Sequence, residues 1–139
     1  MRMTISKACL GLAVLCMAPT ASVAAEKSYV CAVHEVFECV AVKGCTPITL
    51  AAANLAAVIW IDLENKTLTS TSLGEKPKTT ELKNVTVTDN AVLLHGLGKA
   101  GTTDRAWSAI ISTKTGKLSA GVSTPDASLA LQGRCTTKP

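Results

Sequence analysis

Over much of the chain apolar and polar residues alternate with period two, and turn residues interrupt the alternation about every 10 to 12 positions. Val85 and Val87 alternate with Thr86 and Thr88 ahead of Asp89-Asn90. Leu118, Ala120 and Val122 alternate with Lys117, Ser119, Gly121 and Ser123 ahead of Pro125-Asp126. Leu129, Leu131, Gly133 and Cys135 alternate with Ser128, Ala130, Gln132 and Arg134. Each run predicts an antiparallel strand with one face in a core. Less regular runs predict strands over 58–63 and 67–72, joined by a hairpin at Glu64-Asn65-Lys66. Residues 91–97 are apolar on both faces, and 105–113 lead into a Lys114-Thr115-Gly116 turn, where glycine supplies a positive φ.

Two stretches depart from this pattern. Residues 50–57 are rich in alanine and follow Thr49, a residue able to cap a helix, so one short helix is expected near 50–56. Residues 75–80, with Pro77, read as an exposed loop. The expected fold is all-β, a small antiparallel up-and-down barrel or a two-sheet sandwich of seven to nine strands.

The first 25 residues read differently. Arg2 and Lys7 precede an uncharged run over 8–18, and Val23-Ala24-Ala25 offers a signal-peptidase site. That run is too short to span a bilayer, which needs roughly 20 residues. The expected organisation is therefore a cleaved signal peptide over 1–25 and a single disulfide-stapled domain over 26–139, periplasmic or secreted. Removing Arg2 and Lys7 leaves 12 basic and 10 acidic side chains, a net +2 in place of +4. That balance, with no basic cluster, predicts no nucleic-acid partner and no stable membrane anchor.

Cleavage also removes Cys9 and Cys16, leaving four cysteines, an even number in an exported chain. Three of them lie between Tyr29 and Cys45, and Cys135 lies near the other end. Four cysteines allow three pairings. Alternation places Cys31, Cys39 and Cys135 inward, in step with Tyr29, Val33 and Phe37, and Gly44 lets the chain turn back before Cys45. The favoured pairing is Cys39–Cys45 as a local clamp and Cys31–Cys135 as a tie between the first and last strands.

Candidate chemistry is sparse. His34 and Glu38, four residues apart on one strand, are expected to share an outer face opposite the cysteines, as a solvated pair or a base with its orienter. His95, amid Leu93, Leu94 and Leu97, reads as a buried, hydrogen-bonded histidine. Trp60 lies between Ile59 and Ile61, so either it or they face outward; outward, it would anchor a partner, and inward, it would fill the core with Trp107. No spacing predicts a metal site, a cofactor or a catalytic residue. Leu97-Gly98-Lys99-Ala100-Gly101 lacks the phosphate-loop spacing and reads as a hairpin loop.

Tyr29-Val30-Cys31, Trp107-Ser108-Ala109-Ile110-Ile111, Gly116-Lys117-Leu118 and Gly133-Arg134-Cys135 together resemble small exported bacterial proteins of uncharacterised activity. A looser likeness is to the small barrel lysozyme inhibitors of the bacterial periplasm, which carry an early Tyr-x-Cys and a late cysteine. Their inhibitory Ser-Gly-x-x-Tyr loop is absent here, where Tyr29 is the sole tyrosine. The expected function is a non-enzymatic binding module for a protein or small ligand, with Trp60, His34 and Glu38 as its candidate surface. The alternatives are a small barrel carrier of an apolar ligand and an inhibitor of a cell-wall hydrolase.

Overall fold

In a computed structural model, residues 27–72 and 74–138 are described, and the expected signal peptide lies outside them. The described chain forms nine strands: β1 (Ser28–Val40), β2 (Gly44–Ile48), β3 (Val58–Asp62), β4 (Thr67–Thr71), β5 (Lys78–Val87), β6 (Ala91–Ala100), β7 (Thr103–Ser112), β8 (Lys117–Ser123) and β9 (Ser128–Thr137). All pairings are antiparallel. β3 to β9 follow in meander order, and β1 closes the ring by pairing with both β3 and β9. The fold is thus an eight-stranded barrel, with β2 as a ninth strand added to the far half of β1.

The expected helix near 50–56 is absent, and a capped turn stands in its place. The Thr49 hydroxyl accepts the Ala52 amide at 3.1 Å, so the capping role of threonine is real. The Thr49 carbonyl accepts the Ala53 amide at 3.1 Å and the Leu50 carbonyl accepts the Leu55 amide at 2.9 Å. Asn54 then takes a left-handed φ of 52°, which ends the turn before a second can follow. Leu50 and Leu55 pack against the core and Ala53 is buried, so the segment is held by its apolar contacts.

β1 is straight only to Val33. Val33 pairs with Gly133 and Glu35 with Gln132, leaving His34 as the extra residue of a bulge. A bulge reverses the alternation beyond it. Tyr29, Cys31 and Val33 face the interior, and after the bulge Val36 does, on the face of its partner Leu131. The bulge also marks the point where β1 changes neighbour: Ala32 still pairs with β3, the Val33 amide donates to the Ala57 carbonyl at 2.9 Å, and from Val36 the partner is β2. A second bulge, at Lys83, lies between Leu82 and Asn84, where β5 pairs with β6.

This corrects two expectations. Cys39 and Phe37 do not share the face of Cys31, and Glu38 does not share the face of His34. Glu38 stands opposite Leu129, an inward residue of β9, while His34 is exposed. The disulfide pairing itself is as expected. Cys31 and Cys135 are cross-strand partners bonded inside the barrel seam. Cys39 and Cys45 are bonded across the β1–β2 hairpin, on the outer side.

The core is filled by the inward residues of every barrel strand, with Leu82, Leu94, Ile111 and Leu118 almost wholly buried. The β3–β4 hairpin is fixed by Asp62, whose carboxylate accepts the Asn65 amide and the Asn65 side-chain nitrogen, each at 2.8 Å. These bonds hold its carboxyl below the ordinary aspartate value. A depressed carboxylate contributes stability that is present above its unfolded value and lost as pH falls through the folded one. Asp62→Asn is therefore expected to be less stable than the wild type at neutral pH. The two melting curves should converge in acid below the ordinary aspartate range. A difference that persists there would show that charge is not the cause.

Candidate functional site

Two concavities adjoin β3 and β4, one outside the barrel and one within it. The outer one is a groove of about 1170 Å³. Its floor is the outward face of β3 and β4, where Val58, Trp60 and Asp62 alternate with the inward Ile59 and Ile61. Trp60 is 45% exposed and pairs across to Thr69, with Thr67 and Thr71 on the same face. Lys138 places its ammonium 5.2 Å from the ring centre, within cation–π range. One wall is the capped turn, through Leu50, Ala51 and Asn54, and the other is formed by Gly74, Glu75 and Pro77 ahead of β5. The Thr69 and Thr79 hydroxyls bond each other at 2.9 Å and continue the polar surface onto β5.

The inner concavity is the barrel lumen, about 250 Å³. Ile59, Leu68, Ala109 and Ala120 line its depth together with the Trp107 ring, over the buried Leu94, Leu118 and Leu131. Trp107 faces inward, and its ring lies over Gly96 of β6, where an added Cβ would collide with it. Gly98, two residues on, has nothing within 4 Å of its Cβ position, so the lumen opens there. At this mouth stand Lys76, Lys78, Lys99 and Arg105, with Glu75 as the acidic neighbour. Lys78 pairs with Glu75 at 3.6 Å and Lys99 with Asp104 at 3.5 Å, both exposed. Arg105 is half-buried on the inward side of β7, opposite Gly98, and has no hydrogen bond or ion pair to another described residue.

Of the residues singled out in the sequence, Trp60 is the one placed in a concavity with an exposed face. His34 and Glu38 are separated by the bulge, and neither lines the groove or the lumen. His95 is exposed on the outer side of β6, because Leu94 and Gly96 take the inward positions on either side of it. Its burial was expected from the leucines around it, yet Leu97 is itself 59% exposed. Three strands separate the two histidines around the barrel. Arg105 was missed in the sequence, and Gly98, read there as part of a hairpin loop, lies within β6; the signal for both is the inward phase of the Trp107 and Gly96 strands.

Comparison with known proteins finds no matching family model, no matching curated protein and no matching solved structure.

Proposed function

We propose that the protein is a non-enzymatic binding module of an exported, periplasmic or secreted compartment, and that it takes a protein partner on the groove at Trp60. The half-exposed Trp60 ring at the groove floor carries this reading. A large aromatic side chain ringed by polar residues is the anatomy of an interface hot spot, and here Asp62, Lys138, Glu75 and the β4 threonines form the rim. The two disulfides fit an oxidising compartment.

Trp60 points out of the core, so Trp60→Ala should leave the domain folded, with a loss of about 1 kcal/mol from its cross-strand and Lys138 contacts. The mature domain and this variant would be used side by side to capture partners from periplasmic and secreted fractions. The expected result is a protein held by the wild type whose measured affinity falls about 30-fold or more on truncation of the tryptophan. A partner that binds both forms equally places the interface elsewhere and removes the reading.

A second reading, a carrier of a small apolar molecule, is supported by the lumen. An eight-stranded barrel has an interior just wide enough to be filled by side chains or to hold one small ligand. The opening beside Gly98 favours the latter.

A further inference from the structure

The lumen has two chemically distinct zones. Its depth is apolar, bounded by the partly buried Ile59, Leu68, Ala109 and Ala120 and the face of Trp107. Its mouth carries four cationic side chains against the one carboxylate of Glu75 among its lining residues. Lys78 and Lys99 already have carboxylate neighbours. Arg105 differs from them, because it is half-buried, on the inward phase of its strand, and has no partner among the described residues.

A guanidinium turned toward an apolar cavity loses part of its hydration without compensation, a cost that a planar anion removes by two parallel hydrogen bonds. The inward hydroxyls of Ser72 and Thr80 add donors on the opposite side of the mouth. The absence of a side chain at Gly98, Arg105's cross-strand partner, leaves a passage beside it.

Resting on the carrier reading above, we propose that the lumen binds one small apolar molecule ending in a single anionic head, with the tail against Trp107 and the head on Arg105. At about 250 Å³ including its open mouth, the concavity lies just below the range of drug-sized ligand sites, so it suits a small ligand. A medium-chain carboxylate fits this description.

The test is calorimetric titration of the oxidised mature domain with octanoate, octanol and octylammonium, three probes of one tail length and three head charges. Octanoate is expected to bind about tenfold more tightly than octanol, the worth of one charge-assisted hydrogen bond, and octylammonium more weakly than either. Arg105→Gln should abolish that advantage while leaving octanol binding intact, which also shows that the variant is folded. Equal affinity for octanoate and octanol, or a preference for octylammonium, overturns the charge assignment and leaves the carrier reading standing. No binding of any probe overturns both. If Arg105→Gln does not fold, the wild-type octanoate-to-octanol ratio decides alone, support lying near ten and refutation near one.

Discussion

Replacing Cys31 and Cys135 together with alanine is expected to lower the stability of the domain by about 4 to 5 kcal/mol. The bond closes a loop of sequence separation 104, and restricting so long a loop in the unfolded chain stabilises the folded one by about that amount. Set against a typical total of roughly 5 to 15 kcal/mol, the loss lowers the melting temperature by roughly 15 °C or more. Alanine is the appropriate replacement because Cys31 is fully buried, and a serine hydroxyl there would want a partner. The matching change at Cys39 and Cys45 closes only a separation of 6, worth about 2 kcal/mol by the same rule. It acts on the β1–β2 hairpin outside the barrel ring, so its effect on global unfolding should be smaller still. Urea midpoints of the two double variants make the comparison. Equal losses would mean that the seam between β1 and β9 is not where the barrel depends on its cross-link.

That seam explains which parts of the fold were legible in the sequence. β8 and β9 obey strict alternation, so their strands and faces follow directly from the residue pattern. The choice between barrel and sandwich turns on whether the first and last strands pair, a contact between residues about 100 positions apart that no local pattern encodes. The cysteines alone pointed to it. Faces were misassigned where a bulge intervened. Both bulges share one signature, two polar residues between inward apolar ones: Val33-His34-Glu35-Val36 and Leu82-Lys83-Asn84-Val85. A spacing of three where two was expected is a readable sign of a phase change, but Phe37 and Cys39 continued the old phase and masked the first one. Because His34 is the extra residue, strict alternation restarts at Glu35 and the register with β9 continues unbroken to Cys39.

The site was less legible for a different reason. Trp60 sits among isoleucines, and hydropathy cannot say which of two apolar sets on one strand faces in; only the pairing of β3 between β1 and β4 does. The lumen is invisible to a search for apolar positions, because two of the inward residues that shape it are Gly96 and Gly98. A glycine on the inward phase leaves room that a neighbour either fills, as Trp107 does at Gly96, or leaves open, as at Gly98.

A third inward glycine leads to the second large effect. Gly133 of β9 faces Val33 across the seam, beside the His34 bulge, and a Cβ there would lie 2.5 Å from the Ala32 carbonyl oxygen and 3.1 Å from Leu118 Cδ2. The nearer atom belongs to the backbone of the partner strand and cannot rotate away, so Gly133→Ala must push β1 and β9 apart. We expect a loss of about 3 kcal/mol, at the upper end for overpacking, where a flexible side chain as neighbour would have cost less. The strain acts on the pairing that Cys31–Cys135 holds, two residues away on each strand. In the absence of the disulfide the seam can open locally and relieve the clash. Gly133→Ala is therefore expected to cost at least 1 kcal/mol less in the Cys31/Cys135 double-alanine background than in the wild type, about the size of coupling seen between contacting residues. A thermodynamic cycle from urea unfolding of the four proteins measures that coupling directly. Strict additivity would show that the glycine and the cross-link stabilise separate parts of the barrel, and that the seam does not act as one structural unit.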